Sequence, residues 1–291
     1  MDRYINIVLA SDNNYAQHVA VVAASVLCNT EEKIRIHLLS DGVSKDRLEL
    51  IDNTIRNLGS TLNVYELSEY KCFDNLFTSG HISKAAYFRL DIANILPKDV
   101  KKVIYIDVDL LVLQDIGNLY KSDMQSKPLA AVPDYGIMSS KRLMQQKHDV
   151  IGLSKNSMYF NSGVVIMDLE QWRKNDYAKQ VIELASAGNL SHHDQDALNK
   201  VFLGNWQALP LKWNVIPPVF NLFTKILLNK NLRKNAITAR KEKAIMHFAG
   251  RYKPWEFRLH IGFNDAYYFY LDKTAFAGVK MPQPSKNMQG K

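Results

Sequence analysis

Alternation between two kinds of hydrophobic spacing at the start of the chain restricts its fold more than any other feature. Residues 4–10 form an apolar, β-branched run and predict a buried strand. Residues 15–29 carry Val19, Val22, Ala23 and Val26 at helical spacing. Residues 33–39 predict a second strand. Residues 44–57 predict a helix with Leu48, Ile51 and Ile55 on one face and Ser44 as its N-cap. Residues 61–67 complete a β-α-β-α-β start, which argues for an α/β fold with a parallel sheet covered by helices.

The rest of the chain continues in kind. Residues 83–93 predict a helix that ends before Pro97, and 102–107 the clearest buried strand. Further strands are expected at 129–133 and 163–168, and helices at 169–188 and 194–202. Pro210, Pro217 and Pro218 then break any long element. Residues 224–243 are basic and expected to be helical in part, 244–248 are apolar, and 264–271 are aromatic-rich. The end of the chain from Pro282 has only Met288 as a large apolar residue and is expected to be disordered.

A hydrophobic content of 47% is sufficient for an ordinary globular core. The charge is unevenly spread. Residues 201–291 hold 15 Lys/Arg against 4 Asp/Glu, whereas residues 1–200 hold 22 against 25. The surplus of +8 thus belongs to the last third, which points to an anionic partner there. Cys28 and Cys72 are too few for a disulfide framework or a cysteine-rich zinc site and fit a reducing, cytoplasmic compartment. Residues 4–10 reach Ser11-Asp12 too soon for a secretory signal. The longest near-apolar run, 19–28, is about half a membrane-spanning helix, so membrane contact is expected to be peripheral.

Chemistry concentrates in three places. In Val103-Ile104-Tyr105-Ile106-Asp107-Val108-Asp109-Leu110-Leu111-Val112, two carboxylates interrupt an apolar run. Buried unpaired, each would cost several kcal/mol or more, so both belong at a strand end or beside a cation. In an extended segment, residues two apart face the same side, roughly 6.6 Å apart, and can converge on one ion. Oxygen ligands suit Mg²⁺ or Mn²⁺, ions that commonly bridge to a diphosphate. Asp-x-Asp alone is a weak pattern, and a second copy, Asp194-Gln195-Asp196, reads equally well as an acidic first turn of a helix.

The second place, Ala10-Ser11-Asp12-Asn13-Asn14-Tyr15, lies between the first strand and first helix, where open α/β sheets bind ligands. Asp12 or Asn13 also fits a plain helix cap. Neither G-x-G-x-x-G nor G-x-x-x-x-G-K-[ST] occurs. The third is Met246-His247-Phe248-Ala249-Gly250-Arg251-Tyr252-Lys253-Pro254-Trp255. His247 offers a nitrogen ligand or is simply a strand-end residue. Gly250 permits close backbone approach to a phosphate, and Lys253 offers a point charge. An Asp/Asp/His set favours Mn²⁺ over Mg²⁺.

These segments together resemble glycosyltransferase family 8, which contains bacterial lipopolysaccharide galactosyl- and glucosyltransferases and glycogenin. The resemblance spans roughly residues 4–272. It also draws on Tyr87-Phe88-Arg89-Leu90, Tyr159-Phe160-Asn161-Ser162-Gly163-Val164 and His193-Asp194-Gln195-Asp196-Ala197-Leu198-Asn199, all in family order. It implies a GT-A type, Rossmann-like domain over 1–272 with a mainly parallel central sheet. A C-terminal helical, basic extension is expected, with a membrane-proximal segment near 221–243, followed by a tail at 273–291. It implies a retaining, metal-dependent hexosyltransferase that takes galactose or glucose from a UDP-sugar. The acceptor would be a glycan or glycolipid in cell-surface polysaccharide or lipopolysaccharide synthesis, on the inner face of the membrane.

By the same resemblance, Asp107, Asp109 and His247 match Mn²⁺ ligands. Ala10, Asp12, Asn14 and Val108 match the uridine site, and Gly250 and Lys253 the diphosphate contacts. Arg89, Asp107, Asn161, Ser162, Asp194 and Gln195 match positions around the donor hexose, with Asp194 and Gln195 as the catalytic candidates. Asp134 stands where a further acceptor-side or metal-neighbouring acid lies. Ser162 replaces the alanine of some members. An amide at Gln195 is a poor nucleophile, which favours front-face attack over double displacement.

Three other readings compete, one of them a non-catalytic family relative, against which the intact metal and phosphate residues argue. A sugar-phosphate nucleotidyltransferase usually opens with a Gly-rich, basic loop, and residues 10–15 contain no Gly, Arg or Lys. A nucleic-acid binder would use the basic last third with Tyr252, Trp255, Phe257, Tyr267 and Tyr268 as stacking platforms. No nucleic-acid motif is present, and those aromatics read better as core, so no nucleic-acid partner is expected. His192 and His193 beside Asp194 invite a metal cluster, but adjacent side chains on one element diverge. The basic stretch Lys225, Lys230, Arg233, Lys234, Arg240, Lys241 and Lys243 is either a solvated helix face or a contact for an anionic surface.

Overall fold

The structure, a computed structural model, describes residues 4–73, 76, 83–154, 157–188, 190–220, 230–258, 262–278 and 280. The run at β1, Ile5–Asp12, is buried along all but its last residue, as a central parallel strand must be. It pairs in parallel with β2, Ile34–Asp41, and with β4, Lys102–Ile106. The parallel edge strand β3, Thr61–Glu66, pairs only with β2 and alternates between exposed and half-buried residues. Beyond β4 lies β7, Phe160–Asp168, antiparallel to both β4 and β6, Leu129–Pro133. A two-residue strand, β8 at Gln207–Ala208, closes the far edge in parallel with β6.

The sheet order is β3-β2-β1-β4-β7-β6-β8, and β7 alone among these seven strands runs in reverse. The α/β, mainly parallel architecture read from the sequence is thus present. A separate antiparallel pair joins β5, Leu110–Val112, to β9, Ile245–His247.

The pleat sends alternate residues to opposite faces. Ile7, Leu9, Ile104 and Ile106 enter one core beneath the helices Ala16–Leu27 and Lys45–Asn57. Val8, Ala10, Val103 and Tyr105 enter the other, against Phe88, Trp172 and Phe202. Both faces are covered, so polar groups collect at the strand ends.

Several local expectations are corrected. Asp107, Val108 and Asp109 lie in a bend between β4 and β5, not in an extended run. The helix expected at 83–93 is three short pieces, Lys84–Tyr87, the 3₁₀ turn Phe88–Asp91, and Ile92–Ile95. Arg89 Nε bonds the Ala86 carbonyl at 2.7 Å inside that tightened segment. The helix expected at 169–188 divides into Leu169–Lys174 and Tyr177–Ser186, because Asp176 takes a left-handed φ of 50°. Ser44 occupies its N-cap position without a side-chain capping bond.

The basic helix Lys230–Lys241 is not an appendage, since Ala236 and Ala239 are buried in the main core. Residues 221–229 of the basic segment, with Lys225, and residues 281–291 of the expected tail lie outside the described residues. Beyond 272, Thr274 is buried and Ala275 N–H bonds Thr54 Oγ1 at 2.9 Å. Among the described residues, no helix is long and apolar enough to cross a membrane.

Candidate active site

The bend after β4 and the end of β9 meet because Leu110 pairs with His247. Asp107, Asp109 and His247 consequently offer one ligand atom each within 4.8 Å of one another, a grouping that can hold a metal ion. His247 Nε2 lies 3.1 Å from Asp109 Oδ1 and 3.9 Å from Asp107 Oδ2. The bend, rather than an extended strand, turns both carboxylates to one side.

Neighbouring amides fix the tautomer of His247. Gly163 N–H donates to Asn161 Oδ1 at 2.9 Å, and Asn214 Nδ2 donates to the same oxygen at 2.8 Å. Asn214 therefore presents Oδ1 to His247 Nδ1 at 2.8 Å, which must be the protonated nitrogen. With Nδ1 committed to that bond, Nε2 is the nitrogen that faces the carboxylates and would ligate a metal. Gly163 completes the space: a Cβ there would fall 2.5 Å from His247 Cε1 and 2.6 Å from Asp107 Oδ2. Donor chemistry, tautomer and room all fit a divalent cation with mixed oxygen and nitrogen ligands.

Cationic side chains balance the acids. Arg89, buried beneath Asp107, reaches Asp107 Oδ1 at 2.9 Å and Asp194 Oδ2 at 3.2 Å, and its NH1 donates to Ser162 O at 3.1 Å. Burial disfavours the guanidinium charge, but the carboxylates of Asp107 and Asp194 outweigh it and raise its pKa. Lys253 bonds Asp109 Oδ2 and the Phe248 carbonyl. Burial would raise the Asp109 pKa, yet His247 and Lys253 hold it well below the usual carboxylate range. Asp194 shows the opposite balance: burial raises its pKa, only partly offset by Arg89.

On the far side of Ser162, Gln195 is pinned at both ends of its amide. Its Oε1 accepts from Ser162 N at 3.0 Å, and its Nε2 donates to Asp134 Oδ2 and Tyr159 OH, both at 3.2 Å. Asp134 caps the turn Tyr135–Met138 through Ile137 N and also accepts from Asn161 Nδ2 at 3.1 Å. A cleft of about 980 Å³ is lined by Pro133, Met138, Met144, Leu209, Lys212 and Lys234, among others.

The remaining candidates form a looser rim. Asp12 turns its carboxylate back to cap Asn14 N and Tyr15 N at 2.9 and 3.1 Å, so the plain capping role is present. Ala10 is buried, Val108 half-buried and Asn14 exposed. Gly250 has a φ of +98°, which few side chains tolerate. Trp255 stacks on His18 with ring centroids 3.7 Å apart, fastening the Lys253 loop to the first helix. Burial keeps His18 neutral, with its pKa pushed down to about 3. Tyr267 and Tyr268 are buried as expected, but Tyr252 is exposed.

His192 Nδ1 faces Lys147 Nζ at 2.7 Å, and neither His192 nor His193 belongs to the metal-ligand grouping found among the described residues. Asn214, Tyr105 (whose hydroxyl donates to Asp107 Oδ1 at 2.7 Å) and Gly163 were missed as site residues. The Asn-Ser-Gly run was the one local signal for Gly163. Nothing near Asn214 in the chain marks it.

A mostly parallel α/β sheet with two carboxylates and an imidazole gathered at strand ends is the arrangement that the resemblance to a GT-A type glycosyltransferase implies. The chain belongs to Glycosyl transferase family 8, whose family model matches residues 6–258. It is similar to General stress protein A of Bacillus subtilis (strain 168), 31% identical over 290 residues, covering 97% of this chain and 98% of that one. It is also similar to a lipopolysaccharide 1,2-glucosyltransferase of Escherichia coli, 26% identical, covering 86% of this chain and 73% of the other. Among solved structures, galactosyltransferase LgtC in complex with donor and acceptor sugar analogs matches with a TM-score of 0.81 at 23% identity, covering 98% of this chain and 99% of that one. At that identity the likeness bears on the fold.

Proposed function

We propose that this glycosyltransferase moves galactose or glucose from a UDP-hexose to a glycan or glycolipid, with retention, in bacterial cell-surface polysaccharide or lipopolysaccharide synthesis. The observation that carries the reading is the convergence of Asp107, Asp109 and His247 with the His247 tautomer set for ligation. Mn²⁺ suits this donor set best, and Mg²⁺ second. When bound, such an ion would supply Lewis-acid neutralisation of the diphosphate.

This chain's own residues do the rest. Ala10, Asp12, Asn14 and Val108 hold the uridine. Gly250 leaves room for the diphosphate, and Lys253 brings a positive charge to the departing phosphate. Arg89, Asn161 and Ser162 frame the hexose together with Asp107. Asp194 binds sugar hydroxyls, and the Gln195 amide dipole steadies the oxocarbenium-like centre. The acceptor approaches beside Asp134, whose chain neighbour Pro133 lines the cleft. Its hydroxyl oxygen bonds the anomeric carbon as the bond from that carbon to the UDP phosphate oxygen breaks on the same face, and its proton passes to that oxygen. The names of the Escherichia coli glucosyltransferase and of a Salmonella typhimurium lipopolysaccharide 1,3-galactosyltransferase support both donors.

The enzyme works in the cytoplasm at the inner membrane face, where Arg233, Lys234 and Lys241, exposed on one basic helix, meet anionic lipid. Mn²⁺-dependent hydrolysis of UDP-glucose and UDP-galactose, assayed side by side, tests the reading. One of them is turned over. If neither is, and calorimetry detects no Mn²⁺–UDP binding, the proposal fails. A glycosyl adduct trapped on Asp194 would replace front-face attack by double displacement.

A further inference from the structure

Lys147 is an unusual residue to bury. It sits on the helix Lys141–Ile151, its side chain is wholly inaccessible, and it pairs with Asp196, equally buried, at 2.7 Å to Oδ1 and 2.9 Å to Oδ2. Ser191 Oγ at 2.8 Å and His192 Nδ1 at 2.7 Å complete its shell, and its ammonium lies 5.4 Å from the centre of the Tyr159 ring. Replacing such a pair by hydrophobic groups is often neutral or stabilising, so stability alone is a weak reason for it.

The contacts continue from this pair toward the reaction centre. Asp196 Oδ1 accepts the Tyr159 hydroxyl at 2.6 Å. With its one proton committed there, Tyr159 can only accept from Gln195, and Gln195 Nε2 lies 3.2 Å away. The opposite end of the amide takes the Ser162 backbone N–H, whose polarity is fixed. We propose that Lys147, Asp196 and Tyr159 form a polarity lock that positions the Gln195 amide toward the transferred sugar. This inference rests on the reading of Gln195 given above.

The sense of the lock depends on Asp196 being a carboxylate. Burial pushes its pKa up, and bonds from Lys147, Tyr159 and His192 N–H overcome that and lower it. Loss of the ammonium moves the balance at Asp196 toward the neutral acid, the form that can donate to Tyr159 and turn the phenol proton against the Gln195 NH₂ group. Lys147, Asp196 and Tyr159 are thus positioning residues, since none of them faces the sugar in this scheme. Helical spacing explains how one turn serves both purposes: Asp194 points to Arg89, Asp196 to Lys147, and Gln195 between them to Ser162.

Two variants test this by steady-state hydrolysis of the accepted UDP-hexose with Mn²⁺, alongside Mn²⁺–UDP calorimetry and thermal melting. Tyr159→Phe keeps the ring and removes the lock's middle bond. Lys147→Met/Asp196→Leu removes both charges together and leaves neither buried alone. Each is expected to lower kcat roughly 10- to 100-fold, as small misplacements in active sites do, with donor KM and Mn²⁺–UDP affinity unchanged. Wild-type kcat in Tyr159→Phe overturns the inference. So does a loss in which kcat, KM and affinity worsen together, which marks a merely structural role. If the double variant does not fold, Tyr159→Phe decides alone. An inactive wild type overturns the functional reading and this inference with it, whereas an active wild type with unaffected variants overturns the inference only.

Discussion

The chain writes Asp-x-Asp twice, and the two copies come to opposite ends. Asp107 and Asp109 lie in a bend between strands and send both carboxylates into one 4.8 Å grouping with His247. Asp194 and Asp196 lie in the first turn of the helix His193–Val201, where residues two apart diverge by about 200°. One meets Arg89 at the site, and the other meets Lys147 in the interior. Backbone period decides whether two acids become one site or two separate ion pairs. The first copy gathers its charge in one place; in the second, each acid meets a different cation, and Arg89 bridges the two copies through Asp107 and Asp194.

That contrast can be broken by mutation. The largest effect is expected at Asp196, because Asp196→Ala strands a buried ammonium. A loss of about 3–5 kcal/mol in urea unfolding is expected, and a loss below 1 kcal/mol would mean that the Lys147 pair is not buried as described. Next comes Asp109→Ala, which should weaken Mn²⁺–UDP binding by more than about 100-fold in calorimetry with the circular dichroism spectrum retained. Unchanged affinity there would remove Asp109 from the metal site.

Gly163→Ala sharpens the same point without touching a charge. Its methyl must displace His247 or Asp107, so Mn²⁺–UDP affinity should fall about 10- to 100-fold with the circular dichroism spectrum retained.

The smallest effect sets the pH background for these measurements. His37, buried between Asn6 Oδ1 and Tyr65 OH, has its pKa lowered from 6.5 to about 4, chiefly by burial. The unfolded chain binds that proton first, so the contribution is intact above pH 6.5 and is lost as pH falls toward 4. Wild type should lose about 2 kcal/mol more than His37→Gln between pH 7 and pH 5. Parallel losses would assign the acid sensitivity elsewhere.

Legibility followed sequence distance. β1, β2, β4 and β6 were readable to within a residue or two, because burial on both faces makes their runs mainly apolar. The reversal of β7 was not, since periodicity carries no direction. Asp107, Asp109 and His247 stood out because polar atoms in apolar runs need a reason. Asn214 and Lys147 carry no such mark: each acquires its role from a partner 33 and 49 residues away. The break at Asp176 was hidden because aspartate tolerates both helix and left-handed turn.

The pairing of β5 with β9 has a consequence for the order of folding. Most of the parallel sheet joins segments that are neighbours in the chain, but Lys253 meets Asp109 across 144 residues. Closing so long a loop is entropically costly and rewards the chain only after β9 is made. During synthesis, therefore, the first two strand–helix units can assemble while the carboxylates still lack their imidazole and ammonium. Competence arrives with the last tenth or so of the family-matched region, and an interrupted chain acquires a sheet long before it acquires a catalyst.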